Sequence, residues 1–106
     1  MRTIAAALLF VLGFTVSAAA QYSDTWYDGN EIHEGCQTNP FGLTLGFAVG
    51  AAESAARKGD ACIPLGAKAS QVRDVVCRYL EANPQSRQEP AFNLAYKAII
   101  SAWPCT

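Results

Sequence analysis

The stretch "FGLTLGFAVGAAESAA", residues 41–56, places three glycines four residues apart in an otherwise apolar run. In lipid, this spacing of small residues is typical of a face along which two membrane helices dimerise. The apolar part, from Phe41 to Ala52, is much shorter than the roughly 20 residues that a bilayer-spanning helix needs. The stretch therefore predicts a helix of a globular domain and not a membrane span.

This helix has two apolar faces when its residues are placed at intervals of about 100°. One broad stripe, expected to pack in the core, consists of Phe41, Leu45, Ala48, Val49, Ala52 and Ala56. The second stripe lies well away from the first and consists of Gly42, Gly46, Gly50 and Ser54, with Leu43 and Phe47 beside them.

The glycines need a physical reason, because each one costs about 1 kcal/mol relative to alanine inside a helix. Their benefit is close approach of a second helix, from the same chain or from a second copy of it. Two apolar faces on one helix favour the second copy. We therefore predict a homodimer with a close-packing face formed by Gly42, Leu43, Gly46, Phe47 and Gly50.

Turn residues divide the rest of the chain into three further helices. Asp28 or Asn30 can cap the first helix, Gly59 can end the second, and Pro90 begins the last. The expected helices cover residues 29–36, 39–59, 70–82 and 90–103. No stretch shows the alternation typical of a half-buried strand, so the fold class is all-α, a small single-domain bundle of about four helices.

The third and fourth helices each carry an apolar stripe at helical spacing. In the third helix the stripe is Val72, Val75, Val76, Tyr79 and Leu80. In the fourth helix it is Phe92, Ala95, Tyr96, Ile99 and Trp103.

The chain opens "MRTIAAALLFVLGFTVSAAAQ", with one arginine, an apolar run and small residues before Gln21. This layout is typical of a secretory signal peptide, expected here over residues 1–20. An uncleaved anchor is the alternative, and the small-residue site favours cleavage. We expect an exported, periplasmic protein in which residues 21–106 form the domain, with no membrane span after cleavage.

The four cysteines, Cys36, Cys62, Cys77 and Cys105, all lie in the exported part. An even number of cysteines in a short exported chain predicts two disulfides, with three possible pairings. Free buried thiols are the alternative. A zinc site fits less well, because no two cysteines have a Cys-x-x-Cys spacing and the chain has one histidine. We predict no metal and no cofactor.

The charge pattern excludes some partners. The chain has a formal net charge of −1 and no clustered basic surface, which does not suit nucleic acid. Acidic residues concentrate near the start of the domain, where they are either solvated surface groups or an acidic contact surface; they are Asp24, Asp28, Glu31 and Glu34.

Residues suited to catalysis are scarce. His33 is more simply a surface helix residue than a general base, and no Gly-x-Ser-x-Gly motif accompanies it. A Cys–His nucleophile pair would need a thiol that export leaves oxidised. The sequence predicts no enzyme.

A short connector, "ANPQSRQEP" at residues 82–90, joins the third and fourth helices. Prolines at both ends restrict its freedom, which lowers the entropy cost of docking into a partner. An ordinary helix connector is the alternative. The candidate contact residues are Gln85, Ser86, Arg87, Gln88 and Glu89.

Four segments occur in an order known from one family: "GNEIHEGC", "LGFAVGAAES", "ACIPLGAKASQVRDVVCRYLEANP" and "AWPC". In this order the chain resembles the periplasmic immunity proteins of the type VI secretion amidase-immunity (Tai) family. The resemblance implies a small, dimeric helical protein that binds and occludes a peptidoglycan amidase effector. A small periplasmic stress chaperone or an envelope accessory protein is the alternative.

The resemblance also implies a disulfide pattern. Thr44 stands where family members tend to carry a cysteine, and Cys77 is additional. If the missing cysteine normally pairs with the one before Ile-Pro, Cys77 takes over as the partner of Cys62. The implied pairs are Cys62–Cys77 and Cys36–Cys105.

Overall fold

The computed structural model describes residues 26–106, so the signal peptide expected at residues 1–20 lies outside the described residues. This part of the chain folds into four α-helices: α1 (Gly29–Thr38), α2 (Leu43–Arg57), α3 (Ala69–Ala82) and α4 (Ala91–Ala102). A 3-10 turn, Pro84–Ser86, precedes α4. Residues 26–106 contain no strand, only two isolated bridges, which confirms the all-α fold class.

Local signals determine several helix ends. The backbone N–H of Glu31 donates to the Asp28 carboxylate at 3.0 Å, and the Asp28 N–H donates to the Glu31 carboxylate at 3.2 Å. This capping box satisfies the donors that the start of α1 leaves unpaired. At the end of α2, Gly59 adopts a positive φ of 76°, which glycine tolerates best.

The buried face of α2 differs from the expected stripe. Phe41 is 74% exposed and Ala56 is exposed, while Leu45 and Val49 are half-buried. The helix begins at Leu43 and not at the Asn39-Pro40 pair, so Phe41 lies outside it. The buried residues of α2 are Thr44, Ala48, Ala51, Ala52 and Ala55. This mostly alanine face lets α2 pack against α1, α3 and α4.

The stripe of α3 is largely confirmed, and that of α4 only in part. Val72, Val76 and Leu80 are buried, with Val75 and Tyr79 half-buried against the core. In α4 the expected Phe92 is 41% exposed, because a neighbouring face of the helix packs inward. That face consists of Ala91, Leu94, Ala95, Ala98 and Ile99.

Both disulfides are present, but the pairing implied by the family resemblance is wrong. The bonds are Cys36–Cys77 and Cys62–Cys105. The first joins α1 to α3, which pack together. The second joins the connector after α2 to the C-terminal tail, where the Cys62 N–H donates to the Trp103 carbonyl at 2.8 Å.

Across residues 26–106, none of the helices combines the length and the apolar character required to cross a bilayer.

Candidate functional site

The connector between α3 and α4, called here the 84–89 loop, is an ordered turn. The Ser86 N–H donates to the Asn83 carbonyl at 3.1 Å, and the Glu89 N–H donates to the Ser86 carbonyl at 3.0 Å. Prolines 84 and 90 bound the segment, as the sequence indicated. The loop therefore has a fixed backbone course between the two helices.

The loop is also fastened to the start of α1. The Asn30 N–H donates to the Arg87 carbonyl at 2.9 Å, and the Gly29 N–H donates to the Glu89 carbonyl at 3.0 Å. A Cβ at position 29 would lie 2.8 Å from the Arg87 carbonyl oxygen. Glycine at this position therefore permits the close approach of α1 and the loop.

The five candidate contact residues of the loop have different environments. Arg87 is mostly buried: its Nε donates to the Leu80 carbonyl at 2.7 Å and its Nη2 to the Glu81 carbonyl at 3.3 Å. These bonds satisfy carbonyls at the end of α3, so the Arg87 side chain has a structural role there. Ser86 and Glu89 are half-buried. Gln85 and Gln88 are exposed, and the Gln85 side-chain amide donates to Asn83 Oδ1 at 3.3 Å.

A second feature is a cleft between α1 and α3, called here the His33 cleft, of about 390 Å³. His33 Nε2 lies 2.6 Å from Glu81 Oε2, and the His33 side chain is only 15% exposed. The hydrogen bond and the charge of His33, with a smaller contribution from Arg87, lower the pKa of Glu81. The expectation of a simple surface histidine missed this contact, because the two residues are 48 positions apart.

The third feature is an apolar groove beside the glycine stripe of α2, called here the α2 groove, of about 340 Å³. Its lining residues are Leu43, Gly46, Phe47, Gly50, Ala51 and Phe92. A Cβ at Gly46 or at Gly50 would meet nothing within 4 Å. The close approach that these glycines permit is therefore not used by another helix of the described chain.

Aromatic rings border the α2 groove. The ring of Tyr27 meets that of Phe47 edge-on, with centroids 5.6 Å apart, and Phe92 lies 5.7 Å from Tyr96. The hydroxyl of Tyr96 donates to Asp60, and this bond is the main cause that raises the pKa of Tyr96. The sequence placed Phe92 in the core, so its share in the groove was missed.

The expected acidic surface is partly accounted for by local structure. Asp28 and Glu31 engage each other's backbone in the capping box of α1. Glu34 is exposed on the same helix, and Asp24 lies outside the described residues. The interpretation of these residues as solvated surface groups therefore fits better than the interpretation as an acidic contact surface.

The cysteines bear on the nucleophile pair considered from the sequence. All four cysteines are in disulfides, so a Cys–His nucleophile pair has no thiol to use. In the part of the chain from residue 26 onward, no cluster of three or more His, Cys, Asp or Glu side chains could hold a metal ion. What the described surface presents is a rigid polar loop and an apolar groove, which suit contact with another protein.

These features define a class: a small all-α protein cross-linked by two disulfides. A family model of the Rap1a immunity proteins matches residues 28–105, which is more than half of the chain. The chain therefore belongs to the Rap1a family of immunity proteins, a family of type VI secretion immunity proteins. Neither a curated protein nor a solved structure matches the chain.

Proposed function

We propose that this protein binds a type VI secretion effector, a peptidoglycan amidase, in the periplasm and occludes its active site. Membership of an immunity family supports the binding role. The observation that carries the proposal is the 84–89 loop, which presents exposed Gln85 and Gln88 on a fixed backbone. The amidase is proposed from the sequence resemblance, and the periplasmic location from the signal peptide expected at residues 1–20.

Rigidity suits this mode of inhibition. A loop that is already ordered loses little conformational freedom when it enters a cleft, so more of the contact energy appears as affinity. Both glutamines carry amide donors and acceptors, which can pair with polar groups around an enzyme active site. Occlusion requires no chemistry from the inhibitor, so the proposal assigns it binding and not catalysis.

We further propose that two copies associate through the α2 groove. Gly46 and Gly50 face open space, and Leu43 is 46% exposed beside them. A second α2 can lie close to this backbone, with bulky side chains of one copy entering the glycine positions of the other. Burial of the groove would offset the helix propensity that the glycines sacrifice.

Co-expression tests the proposed function. The candidate effector is an exported amidase encoded beside the gene of this protein, directed to the periplasm of a host cell. We expect lysis with the amidase alone and growth when both proteins are present. Equal lysis with and without this protein would contradict immunity to that amidase.

The exposed α2 groove also suits a stress chaperone, which would release its apolar face when a dimer dissociates in acid. Sedimentation of the dimer from neutral pH to about pH 2–3, where carboxylates are protonated, separates the two functions. Dissociation together with suppression of aggregation of an unfolded client would favour the chaperone. Retention of the dimer favours immunity.

A further inference from the structure

Glu81, near the end of α3, contacts both α1 and the 84–89 loop. Its Oε2 lies 2.6 Å from His33 Nε2 and 3.7 Å from Arg87 Nη2. The Glu81 side chain is 68% exposed, whereas those of His33 and Arg87 are 15% and 17% exposed. Two mostly buried side chains from different elements therefore meet on one carboxylate at the surface.

Arg87 transmits this contact to the loop backbone. Its guanidinium is held on the Leu80 carbonyl at 2.7 Å, and its own carbonyl accepts from the Asn30 N–H at 2.9 Å. Because Gly29, Asn30 and His33 belong to the same helix, α1 holds the loop at three points. Two are the backbone hydrogen bonds from Gly29 and Asn30. The third is the series of side-chain contacts His33–Glu81–Arg87.

We propose that His33 and Glu81 are positioning residues for the 84–89 loop, and that the protonation of His33 sets how firmly the loop is held. The importance of this for effector binding rests on the proposed function. The ordering of the loop does not, and can be measured on the protein alone.

The charges around His33 determine the direction of the pH dependence. Asp74, Arg78 and Glu81 line the cleft from α3, and Arg87 lies beyond Glu81 in the loop. Asp74 is paired with Arg73 at 3.0 Å, which leaves Glu81 as the carboxylate in direct contact with the imidazole. Neutral imidazole can still donate through one nitrogen, but the protonated form makes a stronger, charge-assisted bond.

The direction of the pH dependence is determined by both His33 and Glu81. Neutral imidazole has no charge to attract the Glu81 carboxylate, so loss of the His33 proton as the pH rises weakens the contact. The pKa of Glu81 is lowered, so its carboxylate stays ionised in mild acid and its contribution is lost only as pH falls through that lowered value. The loop should be held most firmly in mildly acidic solution. Because the carboxylate is exposed, we expect an effect of about three- to tenfold and not orders of magnitude.

Hydrogen exchange measured by NMR tests the proposal. The reporter is the Asn30 amide, which donates to the Arg87 carbonyl, and the reference is the Trp103 amide, which donates to Ile99. After correction for intrinsic exchange, we expect Asn30 protection to be about three- to tenfold greater at pH 6 than at pH 8. The Trp103 amide should show no such change.

Three variants make the test specific. His33→Gln keeps a donor that does not titrate, so it should retain protection and lose the pH dependence. Glu81→Gln removes the anion and should lower Asn30 protection at pH 6 to its pH 8 value. Glu53→Gln, in an exposed pair with Arg57 on α2, is the matched control and should behave as the unmodified protein. Equal Asn30 protection at pH 6 and 8, or a pH dependence that survives His33→Gln, would overturn the proposal.

The affinity for the purified candidate amidase, measured at the same two pH values, distinguishes a failure of this proposal from a failure of the proposed function. Tighter binding at pH 6 that His33→Gln abolishes supports positioning of the contact loop. If the affinity does not depend on pH while Asn30 protection does, the proposed link between loop positioning and effector binding is overturned. If no complex forms at either pH, the proposed function fails and the exchange result still decides the positioning.

Discussion

The hydroxyl of Thr44 donates a hydrogen bond to the carbonyl oxygen of Ile32 at 3.1 Å, between α2 and α1. Thr44 is 1% exposed and is the buried polar side chain of the described core. A Cβ at Gly35 would collide with the Thr44 side chain, so the glycine makes room for it. Thr44 thus makes an internal contact between two helices.

Replacing Thr44 by valine should lower the free energy of unfolding by about 1 kcal/mol. The change keeps the shape and removes a buried hydrogen bond of ordinary strength. Urea denaturation measures the difference, and Thr44→Ser, which keeps the hydroxyl, is the control for the lost bond. Equal stability of the valine variant and the unmodified protein would show that the bond contributes nothing.

The disulfides are predicted to contribute similar stability. They span sequence separations of 41 and 43 residues, so the chain-entropy model gives about 4 kcal/mol for each. Alanine replacement of both members of either pair should lower stability by comparable amounts in urea. Peptide mapping without reductant should recover Cys36 linked to Cys77, and recovery of Cys36 linked to Cys105 would contradict the fold.

Two substitutions at Gly46 distinguish the stability of a single copy from the association of two copies. Because a Cβ there meets nothing, Gly46→Ala should stabilise the isolated fold by about 0.5–1 kcal/mol through helix propensity. Gly46→Leu should fill the groove and dissociate the proposed dimer in sedimentation experiments. Ala56→Leu adds the same side chain at an exposed position of α2 outside the groove and should leave the mass unchanged. An identical mass for the Gly46→Leu variant and the unmodified protein would remove the dimer proposal.

We expect Gln85 and Gln88 to contact the amidase and Arg87 to stabilise the fold. Replacing Gln85 and Gln88 together by alanine should weaken binding to the candidate amidase about tenfold or more, with an unchanged melting temperature. Arg87→Ala should instead lower stability by about 1–3 kcal/mol, because it leaves carbonyls of α3 unpaired. Gln37→Ala, an exposed glutamine on α1, is the matched control for binding. Full affinity of the double variant would exclude the loop as the main contact.

The sequence predicted features that depend on adjacent residues better than features that depend on contacts between distant residues. Gly59 and Asp28, one of the two cap candidates, could be predicted because caps and left-handed glycines depend on a few adjacent residues. The core face of α2 was predicted only in part: Ala48 and Ala52 are buried, but the other buried residues of α2 were missed. Which small residues are buried depends on three other helices. The cysteine pairing failed for the same reason, since nothing local indicates that Cys62 lies beside the C-terminal tail.

The candidate site shows the same division. The course of the 84–89 loop could be anticipated from its two bounding prolines, whereas the burial of Arg87 depends on carbonyls of α3. The role of the loop as a contact stays a prediction. The contact between His33 and Glu81 joins residues 48 positions apart, and no spacing in the sequence indicates it.

The most direct test of the account is inhibition in a purified system. The candidate amidase is incubated with peptidoglycan, with and without an equimolar amount of this protein, and released peptide ends are measured. We predict near-complete inhibition at equal concentrations, relieved by the Gln85 and Gln88 double replacement and not by Gln37→Ala. Full amidase activity in the presence of excess folded protein would contradict occlusion.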